Sequence, residues 1–227
     1  MSLIVENTTM LPVMESFYTL QGEGFHKGRA AYFIRLGGCD VGCVWCDVKD
    51  SWDANAHPKF SVKEIIEKLE NEIELSRISE IKNLKPETRN QKLLKPIIVI
   101  TGGEPLMHDL TELTQQLQEK GFETNIETSG SSPLSGRWNW ICLSPKKFKA
   151  PLPEILPLAH ELKIVVFNKS DFDWAEKYAA LVNPYCKLYL QPEWDKSSEI
   201  TPLIIDYIKA NPQWQLSLQI HKYINVP

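Results

Sequence analysis

No apolar run in the 227 residues approaches the roughly 20 residues needed to cross a bilayer. Basic residues are outnumbered by acidic ones, 25 to 29, and the formal charge of −4 argues against a broad surface for nucleic acid or anionic membrane. Met1 to Met10 contains Glu6 and lacks the basic-then-apolar order of a signal peptide, so a cytoplasmic location is expected. Cysteines are few and odd in number: five, with three crowded between Cys39 and Cys46. That is a poor disulfide framework and fits a reducing compartment. Cys142 and Cys186 lie in apolar, strand-like surroundings and read as inert core thiols. The length suits one sizeable core, and no linker divides the chain, so a single domain over residues 1–227 is expected.

From about residue 30 strand-like and helix-like segments alternate. Ala30 to Leu36 reads as a buried strand. Ser61 to about Ile81 reads as a helix, with Ser61 and Glu64 in capping-box positions and Val62, Ile65, Ile66, Leu69 and Ile73 on one face. Pro96 to Thr101 is a continuously apolar run ending at Gly102 and Gly103, as expected for a strand covered on both faces. A helix is expected from about Leu106, with Leu110, Leu113 and Leu117 inward and Gly121 as its stop. Further strands are expected at Phe122 to Glu127, Trp140 to Ser144, Glu161 to Phe167, Lys187 to Gln191 and Gln215 to Ile220, with helices over Asp171 to Leu181 and Glu199 to Ala210. The stretches after Glu127 and after Ser144 are too broken by Pro, Gly and Ser to hold full crossover helices. The fold class is therefore α/β: an open, partial barrel around a mostly parallel sheet of about six strands. The lysine-rich stretch from Lys82 to Lys95 reads as a solvated loop.

Chemistry in such a sheet gathers at the C-terminal ends of the strands. Directly after the first parallel strand stand Cys39, Cys43 and Cys46. Three thiolates at this spacing can hold a metal centre, but a structural zinc or a cubane cluster normally takes four protein ligands. A zinc site completed by a distant ligand, with His57 the nearest candidate downstream, is one reading. The other is an iron–sulfur cluster with one iron left open. Cys-x-x-x-Cys-x-aromatic-Cys resembles the signature of the radical S-adenosylmethionine superfamily. The resemblance implies a 4Fe-4S cluster on the three thiolates, S-adenosylmethionine on the open iron, and Trp45 near the adenine.

The following strand ends carry further polar groups: Thr101-Gly102-Gly103-Glu104-Pro105, Glu127-Thr128-Ser129-Gly130 and Ser144-Pro145-Lys146. By themselves these could be ordinary turns. Beside the cysteine loop, the first resembles the superfamily's Gly-Gly-Glu-Pro motif, in which Gly102, Gly103 and Glu104 hold the methionyl amine. The resemblance implies cofactor contacts at Asp47, Glu127, Ser129, Ser144, Pro145 and Lys146.

Segments at both ends narrow the resemblance. Ser16 to Gly24 contains Leu20-Gln21-Gly22-Glu23, Arg35 stands in an otherwise apolar strand, and the sequence closes on His221-Lys222-Tyr223-Ile224-Asn225-Val226-Pro227. From about Ser16 to Pro227 the chain resembles the 7-carboxy-7-deazaguanine synthase family. Leu20, Gln21, Gly22 and Glu23 are then expected at the edge of a pterin substrate, where an amide and a carboxylate suit a pyrimidinone with an exocyclic amine. Arg35 is expected on the substrate carboxylate, which a planar guanidinium can bind in bidentate fashion. Thr101 and the carboxylate of Pro227 are expected to reach the substrate, and His221 and Gln191 are further candidates. The implied reaction begins with one electron from an external reductant, flavodoxin-like or ferredoxin-like. Reductive cleavage of S-adenosylmethionine yields a 5′-deoxyadenosyl radical. This abstracts hydrogen from 6-carboxy-5,6,7,8-tetrahydropterin, whose ring contracts with loss of ammonia. The resemblance favours a homodimer. One position departs from the pattern: relatives commonly follow Cys-Asp with a Thr or Ser that binds magnesium, and here Asp47 precedes Val48, which offers no oxygen to a hard cation. Two other readings share parts of this pattern, a glycyl-radical-enzyme activase and an iron–sulfur electron-transfer protein.

Overall fold

The computed structural model describes residues 8–81 and 94–227; all but the last two residues of the expected Lys82–Lys95 loop lie outside them. Nine strands form one sheet: β1 (Met10–Leu20), β2 (Ala30–Leu36), β3 (Lys59–Ser61), β4 (Ile97–Gly102), β5 (Glu123–Thr128), β6 (Trp140–Leu143), β7 (Glu161–Val166), β8 (Lys187–Pro192) and β9 (Trp214–Leu216). Their order is β3-β1-β2-β4-β5-β6-β7-β8-β9. From β2 across to β9 every neighbouring pair is parallel, while β1 lies antiparallel to both β2 and β3. The two outermost strands, β3 and β9, do not pair with each other, so the barrel stays open. The parallel sheet thus has one strand more than the six expected, and an antiparallel extension beyond it.

Five helices complete the description: α1 (Val62–Ile81), α2 (Thr111–Glu119), α3 (Ser170–Ala179), α4 (Ser197–Ala210) and α5 (Ile220–Ile224). The crossovers from β5 to β6 and from β6 to β7 hold no α-helix, only a 3-10 turn at Leu156–Leu158, as their Pro, Gly and Ser content predicts. Among the described residues no helix is long and apolar enough to cross a membrane.

Strand alternation divides the sheet into two unlike faces. The outer face carries Tyr32, Ile34, Leu36, Ile98, Ile100, Leu162, Ile164, Val166 and Leu190, packed beneath the helices into the main core. α1 contributes Val62, Ile65, Ile66, Leu69 and Ile73, the stripe expected from sequence. Its start is held reciprocally, the Ser61 N–H donating to Glu64 Oε2 (2.7 Å) and the Glu64 N–H to Ser61 Oγ (3.2 Å). On the inner face Ala31, Phe33, Ile97 and Val99 make a small separate cluster with Phe17. Beyond it the inner face turns polar.

Four elements differ from the sequence reading, the short β3 among them, which takes in Ser61 where the helix is expected to start. β1 lies in a stretch where no strand is expected; its register slips between Val13 and Glu15, which breaks the period-two pattern that would mark it. The helix expected from Leu106 begins at Thr111, because Glu104 and Asp109 accept from the N–H groups of Leu106 and Thr111 and turn the chain first. Leu110, Leu113 and Leu117 still face inward, and Gly121 ends the segment at φ +78°. The last strand stops at Leu216 instead of Ile220. The Ile220 N–H donates to the Gly22 carbonyl (3.0 Å), and residues 220–224 coil into α5.

The fold predicts two separable stabilities. Leu69→Ala, which empties a fully buried site, should cost about 2–5 kcal/mol, whereas Ser61→Ala, which removes a cap, should cost about 1 kcal/mol. Denaturant unfolding of the two variants measures both.

Candidate active site

Parallel pairing of β2 with β4 sets Arg35 beside Thr101 and Leu36 beside Gly102. The chain leaving β2 therefore runs beside the chain leaving β4, and backbone bonds tie them. The Gly103 N–H donates to the Leu36 carbonyl (2.9 Å) and the Glu104 N–H to the Gly38 carbonyl (2.8 Å). The approach leaves no room for a side chain: a Cβ on Gly103 would stand 2.2 Å from the Gly38 oxygen and 2.9 Å from Cys39 Cβ. From the other side the Gly38 and Cys39 N–H groups donate to the carbonyls of Ser51 and Trp52, at 2.6 and 3.1 Å. The cysteine loop is thus clamped at its root.

Cys39, Cys43 and Cys46 open onto a cavity of about 250 Å³. Burial pushes the Cys39 and Cys43 thiols up, Cys43 to about 11, with the neighbouring cysteines adding to the rise and Lys146 opposing it. Among the described residues no three His, Cys, Asp or Glu side chains converge on one ion. His57, the candidate for closing a zinc site, places Nε2 2.8 Å from the Asp50 carbonyl and does not line the cavity. Thiols that each face the same space without sharing one ligand position suit a cluster, where each binds a different iron.

Another part of the lining comes from the ends of β4, β5 and β6. Glu104, Glu127, Ser129, Ser144 and Lys146 form it, together with Gly102 and Gly103; Pro145 is buried and does not line the cavity. Glu104 is 1% exposed. Oε1 accepts from the Leu106 N–H (3.1 Å) and the Thr128 hydroxyl, and Oε2 from the Ser129 N–H (2.8 Å) and hydroxyl. Four bonds fill a carboxylate's acceptor positions. Glu104 thus braces β4 against β5 while it lines the cavity. Lys146 donates to Ser144 Oγ (2.7 Å) and sets its ammonium 5.4 Å over the Trp45 ring. Burial lowers its pKa.

Residues 21–25 form the floor, crossing the inner face of the sheet from β1 to β7. Gln21 Nε2 donates to Glu127 Oε1 (2.9 Å), the Gly24 N–H to Ser217 Oγ (3.0 Å) and the Phe25 N–H to Glu161 Oε2 (3.1 Å). Gly24 has φ +61°, and a Cβ there would lie 1.9 Å from Glu161 Oε1, so glycine is required twice over. Lys163 pairs with both Glu23 and Glu127. His221 packs its ring against Gly22, and burial lowers its pKa. Leu20, Gln21, Gly22, Glu23, Arg35, Thr101, Gln191, His221 and Pro227 all line the cavity. Gln191 accepts from the Ser217 hydroxyl (2.8 Å), and the Pro227 carbonyl accepts from the Thr19 hydroxyl (3.2 Å). Arg35 stands 3.3 Å from Glu15 and 5.5 Å above the Phe17 ring, so it pairs across β1 and faces the cavity together.

The Radical SAM superfamily model matches residues 33–141. A protein of Flavobacterium psychrophilum named 7-carboxy-7-deazaguanine synthase is 50% identical over 225 residues, covering 99% of this chain and 97% of that protein. The protein of that name from Synechocystis is 44% identical, over 96% and 95%. The chain belongs to the 7-carboxy-7-deazaguanine synthase family. The crystal structure of QueE from Escherichia coli superposes with a TM-score of 0.72 at 30% identity, over 92% of this chain and 93% of that one. Radical S-adenosylmethionine enzymes use a 4Fe-4S cluster and S-adenosylmethionine. Three thiols lining one cavity with the polar ends of β4, β5 and β6 fit that pair of groups. Membership also sets aside the activase and electron-carrier readings.

The sequence reading missed Phe17, Phe33, Lys163, Trp194 and Gln219, which also line the cavity. Phe17 and Phe33 stack at 5.5 Å and give it a flat apolar wall. Lys163 had a readable signal: like Arg35, it is a charge inside an apolar strand, and with Glu161 it marks the inner face at period two. Cys142 and Cys186 are buried thiols raised in pKa, the latter to about 12, chiefly by burial, as expected of inert core cysteines.

Gly103→Ala should push the cysteine loop off β4. Reconstituted protein is expected to carry substantially less iron and sulfide than wild type while its helical circular dichroism is unchanged. Equal cluster content would refute the close-approach argument.

Proposed function

We propose that this chain converts 6-carboxy-5,6,7,8-tetrahydropterin to 7-carboxy-7-deazaguanine and ammonia, acting as one domain in the cytoplasm, as a homodimer fed by a flavodoxin-like or ferredoxin-like reductant. One observation carries the substrate reading: Gln21, Glu23, Arg35, Thr101 and Pro227, from both ends of the chain, line the same cavity as the three cysteines. In this reading Cys39, Cys43 and Cys46 hold the cluster, and Trp45, Asp47, Gly102, Gly103, Glu104, Glu127, Ser129, Ser144 and Lys146 surround S-adenosylmethionine, with Pro145 in the turn between the last two. Glu104 shapes that wall through its bonds to Thr128 and Ser129. Bound there, the two groups supply a carbon-centred radical that can take hydrogen from an unactivated carbon.

The protein's part is to hold the pterin and exclude water. Gln21 and Glu23 meet the donor-rich pyrimidinone edge, and the Phe17–Phe33 stack flanks the ring. The Arg35 fork takes the carboxylate. Its Nε stands 3.3 Å from Glu15 Oε1, so in this reading the two terminal nitrogens of the fork meet the ligand. Thr101 offers a hydroxyl beside Arg35. His221, kept neutral by burial, can donate or accept without adding charge.

Magnesium is the departure. Val48 has no oxygen, and the Asp47 carboxylate lies 3.2 Å from the Lys222 ammonium, which already gives it a cation. Anaerobically reconstituted protein, supplied with reductant, S-adenosylmethionine and the pterin, should yield 7-carboxy-7-deazaguanine by mass. Alanine at any of the three cysteines should abolish both product and cluster absorbance, and Arg35→Ala should mainly raise KM. No product from an intact, reducible cluster overturns the reading. Chelation of magnesium should change the wild-type rate by less than about twofold, since no dedicated hard-cation ligand is present. A large, saturable activation reversed by chelation would refute this.

A further inference from the structure

Lys163 stands on the inner face of β7 with its side chain 5% exposed. An ammonium so enclosed is stable only when paired. It bonds the carboxylates of Glu23, from the floor loop, and Glu127, from β5. Gln219 Nε2 donates to the second oxygen of Glu23 (3.0 Å), and Gln21 Nε2 to the second oxygen of Glu127 (2.9 Å). An unbroken chain of bonds therefore runs Gln219–Glu23–Lys163–Glu127–Gln21. Because Gln21 and Glu23 belong to one loop, that chain closes on itself through the backbone.

The surroundings make Lys163 the decisive charge. Glu127 from β5, Cys142 from β6 and Glu161 from β7 are the other acidic groups facing it. His221 from α5 also faces Glu23, but burial holds it toward the neutral form. Lys146, after β6, is a more distant cation whose own pKa is lowered by burial. Burial by itself would raise the Glu23 pKa; the charge and hydrogen bond of Lys163 outweigh it and hold the carboxyl well below its ordinary range.

This matters because of what Glu23 has to recognise. A 2-amino-pyrimidinone presents ring N–H and exocyclic NH₂ donors side by side. An ionised carboxylate offers only acceptors to them, whereas a protonated carboxyl would set an O–H donor against an N–H donor. Resting on the substrate reading above, we propose that Lys163 is a positioning residue for substrate recognition: it keeps Glu23 an acceptor-only group, fixes its direction, and ties the substrate loop to Glu127 on the cofactor side.

The test compares wild type, Lys163→Met, Lys163→Arg and the double variant Glu23→Gln/Lys163→Met as cluster-loaded protein. Pterin affinity is measured by equilibrium dialysis without reductant from pH 6 to 9. In Lys163→Met, Kd should rise roughly tenfold or more at pH 7, as loss of a charge-assisted contact implies. It should then fall as pH rises, because Glu23 must now shed a proton to bind. Lys163→Arg should recover most of the affinity. The double variant should bind weakly at every pH. Carboxyl-labelled Glu23 should titrate at higher pH in Lys163→Met than in wild type by ¹³C NMR. A purely structural lysine would lower the melting temperature without giving Kd a pH dependence that Glu23→Gln removes. Kd that is unchanged, or raised but flat with pH, overturns the proposal. Should the methionine variant not fold, Lys163→Gln, which keeps a donor without the charge, gives the same comparison. Wild-type protein that fails to bind the pterin would instead refute the substrate reading itself.

Discussion

The pairing of β2 with β4 is the constraint on which the site depends. In that register the chains leaving both strands emerge side by side, and Gly102 and Gly103 let their backbones touch. The cysteine loop gains its fixed root from Leu36 and Gly38 carbonyls accepting the Gly103 and Glu104 N–H groups just after β4. Glu104, one residue further on, then reaches across to Thr128 and Ser129. A single strand pair thus passes its geometry to the cysteines on one side and to the β5 end on the other. Were the register to slip by one residue, one of the two strands would have to turn over, sending Arg35 or Thr101 outward into the apolar core and Ile34 or Ile100 inward.

The two faces of the sheet answer to different physics. The outer face is ordinary: branched aliphatic side chains under helices, held by loss of apolar surface from water. The inner face carries Arg35, Asn125, Glu127, Glu161, Lys163 and Gln191 on its strands, and burying such groups is costly unless they are paired. An open barrel has no opposite strand to cover them. The floor loop takes that role, satisfying Glu127, Glu161, Lys163 and Ser217 in one crossing. Function and stability therefore compete for the same carboxylates. A charge network that is fully bonded in the protein has to keep acceptor positions free for a ligand, and Glu23, bonded once at each oxygen by protein donors, has them.

Much of the outer architecture was legible because it follows period and punctuation. The stripe of α1, its Ser61–Glu64 cap and the apolar run of β4 are local signals, and the structure forms them where the sequence places them. The cysteine loop and the Gly-Gly-Glu-Pro turn were readable for the same reason, each being contiguous. What escaped is non-local. β1 is recognisable only through its pairing with β2, and its bulge conceals the alternation. The end of the chain looks like a strand until Ile220 meets Gly22. Lys163 looks like a misplaced charge until Glu23 and Glu127, 140 and 36 residues away, are brought beside it. Even Glu104, whose place was evident, proved to be bonded by partners on a different strand.

Distance along the chain also bears on how the site can form. Its residues run from Phe17 to Pro227, and the floor loop near the start is fastened to Ser217, Gln219 and Ile220 near the end. Parallel sheets grow strand by strand, each needing a crossover before it pairs, so contacts between the first and last segments must come late. Until then Glu23 and Glu127 would face each other across an unfinished barrel, with the Lys163 ammonium between them. The same ammonium that sets the carboxylates for a ligand is thus also what allows the loop to be drawn onto the sheet, since closing it without that charge would bury two anions together. Recognition and closure of the floor share one interaction, which the bonds of Gly24 to Ser217, Phe25 to Glu161 and Ile220 to Gly22 reinforce without touching the carboxylates' charge balance.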